Sequence, residues 1–400
     1  MKQTVKVIFC FVLLVLFTGV SAHALERVSG ANATLDIIPG AKAAALGGAI
    51  LAVEDDYINL FLNSYQLASN EYVWGSFSHV AYYEGTFFDI ASMTVPFAEN
   101  QSLGISFSRF GANDIPWIKE GEALPEGSDY RTLNIADYVF SVVYGRKLFR
   151  NLDFGVSLHG LYRELDQTGF GFRGDATLRY RLPCHFSVAS LLKGWTSSAA
   201  KWEEGSSEYE SPEVYLAASW WAPVPYFYGK LLLYYQSAGL FHHEARDLDF
   251  DSEPRGGRIW DSPADWFSGS RAGAEYVFDF GLSLRFGLAS FTTFESFTAG
   301  AGFVLSEFLK VDYAFESHPM LSSVHRVSIS VSPWLFFNKP KRKQKEEVIY
   351  TEKEELITKS EEVSPVSEST EDQKNTEETK QATETETEIL ENTGSFSWEE

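Results

Sequence analysis

From Tyr72 to Phe337 apolar and polar residues alternate with period two, a pattern that commits this part of the chain to strands. In 152–162 one face reads Leu152, Phe154, Val156, Leu158, Gly160 and Tyr162. The other reads Asp153, Gly155, Ser157, His159 and Leu161, and continues to Arg163. In 309–316, Leu309, Val311, Tyr313 and Phe315 oppose Lys310, Asp312, Ala314 and Glu316. Such a strand has one face in an apolar medium and one in a polar space. About fourteen segments behave this way, near 72–80, 86–97, 101–110, 135–147, 152–164, 170–182, 185–195, 213–222, 226–238, 269–279, 281–291, 297–305, 307–316 and 324–335. Most have the length a tilted strand needs to cross a bilayer. Tight connections at 98–100 and 279–281 alternate with long polar ones at 111–134, 196–212 and 239–268.

Two architectures fit alternation of this kind. A soluble sandwich buries one face of each sheet and wets the other. A transmembrane antiparallel β-barrel of about 14 strands puts one face in lipid and one in a lumen. Three features favour the barrel. Strand ends are rich in aromatics (Trp220-Trp221, Tyr226 to Tyr228, Trp334 to Phe337), as interfacial girdles require. The polar face is rich in Gly and Ser, which suits a narrow lumen. Closure removes the sheet edges that so many strands would otherwise expose.

The two termini differ from this body. Lys2 and Lys6 precede an apolar run from Val7 to Val20, and Ala22-His23-Ala24 offers a small-x-small cleavage site. Residues 1–24 are therefore expected to be a secretory signal peptide, with a retained anchor as the alternative. The mature chain then keeps one thiol, Cys184, which excludes a disulfide framework and a cysteine zinc site. After Phe337, Lys339 to Lys345 is basic, and Glu346–Glu400 holds 18 acidic against 4 basic residues. A segment so polar cannot build a core, so 338–400 is expected to be an acidic disordered tail. The whole chain has a net charge of −22, which argues against a nucleic-acid partner.

Chemical motifs are weak. Gly169 to Gly174 matches G-x-G-x-x-G outside the strand–helix context that would make it a nucleotide site. Ser190 to Lys193 matches S-x-x-K without its companion motifs. His242-His243-Glu244 offers no third metal ligand nearby. Asp247, Asp249, Asp251 and Glu253 alternate as calcium-loop oxygens do, but Ser252 stands where an EF-hand needs glycine; a solvated acidic loop is the other reading. No catalytic set emerges, and no enzyme, cofactor or resident metal is expected. Lumen-facing candidates are Asp153, His159, Arg163, Arg285, Lys310, Asp312, Glu316 and Arg326. They either satisfy one another across the wall or line a substrate path.

Gly40 to Val53 is small-residue-rich and suits a short helix, weakened by Gly47 and Gly48. With Asp55-Asp56 and Asn63 to Ala68 it resembles the N-terminal segment of the PorV/PorQ family, within the wider FadL-like long-chain fatty acid transporter group. Gly47, Gly48, Ala49, Asp55, Asp56, Asn63 and Leu67 match, whereas Ser64, Tyr65 and Gln66 replace the family's Pro, Ala and Gly. Phe107 to Pro116, Val311 to Phe315 and His325 to Ser330 extend the likeness. The resemblance implies a 14-stranded outer-membrane barrel (71–337) in a Gram-negative-type bacterium, with residues 25–70 folded inward as a hatch. The hatch motif would comprise Gly47, Gly48, Asp55, Asp56 and Asn63. The tail would be periplasmic. Function divides in two: transport of a hydrophobic ligand, or a non-transporting component of a type IX-like secretion or envelope-assembly complex. Outer-membrane lipid is an expected partner in both. The first expects an apolar pocket beside 40–68, the second a filled lumen and protein partners.

Overall fold

The computed structural model describes residues 32–117, 131–165, 167–196, 198–205, 207–210, 212–240, 267, 269–289, 297–317 and 323–337. Two compact units divide at Lys339–Pro340, and every described residue belongs to the first. The signal peptide, the tail, His242 to Glu244 and Asp247 to Glu253 lie outside the described residues.

Sixteen strands form one antiparallel sheet. They are β1 (Trp74–Ala81), β2 (Phe87–Ala98), β3 (Gln101–Trp117), β4 (Arg131–Phe149), β5 (Leu152–Glu164), β6 (Thr168–Leu182), β7 (Phe186–Lys193), β8 (Ser198–Trp202), β9 (Ser207–Glu210), β10 (Glu213–Val224), β11 (Gly229–Gln236), β12 (Arg271–Phe278), β13 (Leu282–Leu288), β14 (Phe297–Ser306), β15 (Leu309–Glu316) and β16 (Val324–Val331). β1 pairs with β16 from Gly75↔Val331 to Ala81↔His325, which closes 14 strands into a barrel. β8 and β9 form a hairpin that continues from the start of β6, through Gly169↔Trp202 to Phe172↔Ala199. One end of the barrel has tight turns, several held by left-handed residues such as Asn100, Cys184 and Gly281. The other carries the longer connections.

The barrel inverts the burial of a soluble protein. On β5, Asp153, Ser157 and His159 are buried while Leu158 and Tyr162 are exposed. The same holds around the wall, with Phe77, Met93, Ile105, Phe107, Phe140, Phe172, Leu233, Phe286, Phe303 and Ile329 exposed. An apolar exterior of this extent is stable in hydrocarbon and unstable in water. The chain spans a membrane.

Several expected boundaries move. β3 and β4 extend well beyond 101–110 and 135–147, with a bulge between Ala112 and Ile115. The connection 196–212, expected to be a loop, contains the β8–β9 hairpin. The last strand, expected to run to 335, stops at Val331, and Pro333–Phe337 is a one-turn helix. Proline cannot donate to the ladder but is tolerated in a helix's first turn.

Residues 32–70 lie inside the barrel in short pieces: 3-10 turns at Ala33–Asp36, Ile50–Ala52 and Ser64–Ser69, and the helix α1 (Ala41–Ala45). α1 is shorter than its small-residue run allows because Gly47 and Gly48 turn left-handed at φ 70° and 75°. Their amides close the helix on Ala44 O and Ala43 O.

Candidate functional site: a hatch seated in the lumen

A segment of short turns leaves many backbone amides and carbonyls without partners, and burial makes each of them costly. The wall supplies the missing partners from hydroxyls and one amide. Ser78 donates to Pro39 O at 2.8 Å, Ser157 to Phe61 O at 2.9 Å and Ser92 to Tyr57 O at 2.5 Å. Ser328 accepts from the Ala41 amide, Thr298 from Gly47, Gln236 from Leu51 and Thr177 from Tyr65, each at 2.9 Å. The Ser-rich inner face is thus complementary to a plug's backbone. Wall glycines do the other half: a Cβ on Gly145 would stand 2.6 Å from Leu67 Cβ, and one on Gly155 or Gly287 would overlap the backbone at Ser64–Tyr65 or Leu46–Gly47.

The hatch-motif residues chiefly fasten the hatch to itself. Asp56 is buried and accepts from the Ile58 and Asn59 amides (3.2 and 3.3 Å) and from Asn59 Nδ2 (2.7 Å). Asn59 Oδ1 in turn accepts from the Gly40 amide. Gln66 brackets the Asp56 peptide, accepting from its N–H at 3.1 Å and donating to its carbonyl at 2.8 Å. Asn63 Nδ2 donates to Ile50 O at 3.2 Å and to Val53 O. Gly47 meets the wall at Thr298, and Gly48 O accepts from Arg271. Asp55, with φ 57°, is exposed. Asn59 was not singled out from sequence, and Gln66 and Tyr65, whose hydroxyl donates to Leu51 O at 2.7 Å, stood out only as departures from the family motif. Otherwise only their polarity within an apolar, small-residue segment marks them.

The lumen candidates fall into ion-paired groups. Asp153 pairs with Arg179 and Arg181 at 2.6 and 2.7 Å, and Arg179 also reaches Glu54 of the hatch. His159 bonds Ser141 at 2.9 Å, and its Nε2 lies 3.3 Å from Asp175. Arg163 makes a two-pronged contact with Asp137, which also accepts from Thr34. Arg285 joins Glu275 (2.8 Å) to Asp312 (2.6 Å). Arg326 pairs with Glu316 at 2.6 Å and donates to Ile38 O. Lys310 sits over the stacked rings of Tyr57 and Trp74, 5.1 and 4.9 Å from their centres. Sequence reading missed the group around Arg173, which holds Asp175 (3.1 Å), Asp36 (2.8 Å) and Leu35 O, with Lys193 also on Asp36 at 2.7 Å. The signal was present: Arg173, Asp175, Thr177, Arg179 and Arg181 occupy alternate positions of β6.

One sector differs. Val80, Phe88, Ile90, Val143 and Val324 of the wall form a buried cluster with Ile58, Leu60, Phe61, Leu62 and Leu67 of the hatch, and Tyr82, Tyr83 and Phe110 cover its loop-side end. Leu60 and Leu67 bring it to Gly104, near the turn-side start of β3. An apolar seam therefore runs most of the lumen's length between hatch and wall. Beside the hatch arm lies a cavity of about 260 Å³, whose lining includes Ile37, Ile38 and Tyr82 together with Asp36, Arg271, Glu316 and Arg326. Its charged lining departs from the apolar pocket that transport led us to expect. Among the described residues no cluster of three metal-ligating side chains occurs.

No family model matches the chain, and no curated protein matches it. Solved structures that resemble it include the CymD monoaromatic hydrocarbon channel, at 12% identity and TM-score 0.44, covering 73% of this chain and 97% of that one. The toluene transporter TodX of P. putida aligns at 10% identity and TM-score 0.45 over 73% and 98%. A FadL homologue of Pseudomonas aeruginosa aligns at 8% and 0.38 over 72% and 96%. All three scores fall below 0.5, so the functional reading rests on the chain's own residues.

Proposed function

We propose that this chain is a FadL-like protein of the outer membrane, related to PorV/PorQ through its hatch motif, and that it passes hydrophobic small molecules along the face between hatch and wall. The observation that carries this reading is the apolar seam. A lumen built for ions or sugars has no use for Phe88, Ile90 and Val324 facing Ile58 and Leu60, because burying them around a hydrophilic route wastes polar lining. A hydrophobic solute replaces those side-chain contacts with its own when the hatch shifts, at little cost in transfer free energy.

The second reading is a non-transporting component of a secretion or envelope-assembly complex. One preparation separates the two. The full chain is reconstituted into vesicles, and entry of the hydrophobic dye N-phenylnaphthylamine is compared with leakage of a sugar of similar mass. Transport expects dye entry above that of empty vesicles, reduced by Phe88→Glu, with no sugar leakage. Dye entry equal to empty vesicles, with a protein partner retained from the native membrane, overturns it in favour of the second reading.

A further inference from the structure

The exterior has one interruption. A single row of paired residues crosses six strands on the outward face: His79, Asp89, Arg109, Tyr138, Tyr162 and Phe170. Tyr138, Tyr162 and Phe170 form a chain of ring contacts, as an interfacial girdle does. In β1–β3 the same row becomes His79, Asp89 and Arg109. His79 and Asp89 stand two residues from the loop-side ends of their strands. Other outward charges of the described strands, such as Arg146, Glu164 and Lys201 opposite Phe170, lie close to strand ends.

Charge on a lipid-facing wall is expensive unless it finds a partner or reaches the headgroups. His79 and Asp89 satisfy each other, with Nδ1 2.6 Å from the carboxylate. Arg109 does not join them, although it stands directly opposite Asp89 in the ladder. Its guanidinium leans toward the loop side, 4.8 Å from the ring of Phe87, the first residue of β2, and 5.9 Å from that of Tyr138. Two aromatic faces hold the cation but leave its N–H donors unused. Its Nε is out of contact with solvent and has no hydrogen-bond partner. A girdle cation set against two rings, with its buried Nε unpartnered, lacks an oxyanion.

We propose that Arg109, beside the His79–Asp89 pair, binds the phosphate of a lipid headgroup in the leaflet at the loop-side end of the barrel. The guanidinium fork matches two phosphate oxygens, and the aromatic pair fixes its plane before the lipid arrives. Asp89 is already hydrogen-bonded to His79 and makes no ion pair with the guanidinium. The choice of the outer leaflet rests on the outer-membrane reading above, which sets the long connections outward.

The test uses the full chain purified from outer membranes in mild detergent, its folded state checked by heat-modifiable migration. Native mass spectrometry then titrates diphosphoryl lipid A, lipid A stripped of its phosphates, phosphatidylglycerol and inorganic phosphate. Wild type is expected to retain diphosphoryl lipid A and lose the stripped form. Arg109→Gln is expected to weaken retention about tenfold, the scale of one charge-assisted contact. Arg109→Lys, which keeps charge and loses the fork, falls between, and Arg146→Gln at the turn side binds as wild type does. Arg109→Lys carries the result if Arg109→Gln does not fold. Equal retention by wild type and both variants overturns the site, and so does equal retention of stripped lipid. Competition by inorganic phosphate at the lipid's own concentration makes it a free-anion site. Preference for phosphatidylglycerol moves it to the other leaflet, and a dimer lost in Arg109→Gln assigns the face to a second copy of the chain. Each of these also overturns the proposal. Recovery in the outer-membrane fraction is scored separately, so a wrong location is not mistaken for a wrong site.

Discussion

Along β4 and β6 the wall meets the hatch with charged groups: Asp137 on Thr34, Arg173 on Asp36, Arg179 on Glu54. Along β1, β2 and β16 it adds Val80, Phe88, Ile90 and Val324 to the hydrogen bonds of Ser78, Ser92, Ser328 and Arg326. The two sides differ in how they yield. An ion pair out of water is directional, and separating it exposes two costly groups at once. An apolar contact is non-directional, so a hatch that slides along it trades one set of neighbours for another. If residues 32–70 move, the first side is expected to act as a hinge plate and the second as a sliding face. A hatch moving as one body would part from the wall along the seam and stay attached at β4 and β6.

The largest expected effect comes from refusing the hatch altogether. Gly155→Val places two methyl groups where the Ser64–Tyr65 backbone lies, and neither the barrel wall nor that peptide has room to shift. Residues 60–67 should lose hydrogen-exchange protection across the whole stretch while the barrel strands keep theirs. Protected Ser64 and Tyr65 amides in this variant would show that the close wall contact is dispensable. Next comes Arg173→Met on the hinge side. It leaves Asp175, wholly buried, without its guanidinium and frees one of the two cations on Asp36. Destabilisation of about 3–5 kcal/mol is expected from the shift in urea midpoint, with hatch exchange rising first at 33–36. Exchange rising first at 58–62 instead would reverse the assignment of hinge and sliding face.

The barrel was legible because each strand must satisfy two solvents at once, and that demand writes period two into the chain for some ten residues at a time. The inward position of Asp153, His159, Arg163, Arg285, Asp312 and Arg326 followed from the same parity. Their partners did not, since pairing depends on register, and register is a property of two strands. The hatch was legible only as a motif. Its turns have no period, and Asp56 and Asn63 bond to groups within the hatch that no spacing rule connects. The end of β16 is not legible from composition because Trp334 to Phe337 resembles a strand end, whereas Pro333 cannot donate to the ladder and opens a helical turn. The row His79–Asp89–Arg109 was invisible for a related reason. On three separate segments each is one charge among apolar neighbours, and only the closed ladder sets them side by side.

The sliding side should respond weakly in stability and more strongly in function. Ile90→Val removes one buried methyl group from the seam, worth about 0.5–1.5 kcal/mol. The urea midpoint should fall only slightly, whereas dye entry should change more than it does in Arg173→Lys, which keeps a cation on the hinge. Equal dye entry in wild type and Ile90→Val, with a clear change in Arg173→Lys, would place the path on the charged side.

The smallest effect concerns the hatch alone and reads whether it moves as one body. Burial holds the Asp56 carboxyl above its ordinary value of 3.8, and hydrogen bonds from Asn59 offset this only in part. A value raised in the seated state means that seating takes up a proton. The contribution is fully present below 3.8 and is lost as pH rises through the raised value, so the hatch seats slightly more tightly in acid than at neutrality. A fluorophore on the hatch, released by urea at pH 4, 5, 6 and 7, should show a midpoint that falls across this window. Asp56→Asn, which keeps an acceptor for the Ile58 and Asn59 amides but cannot ionise, should flatten the trend without abolishing seating. The same slope in both proteins would assign the pH response to the wall's ion pairs. The hinge side would then loosen before the hatch's own fastening, and the one-body picture would give way to a hatch that unravels from its charged edge.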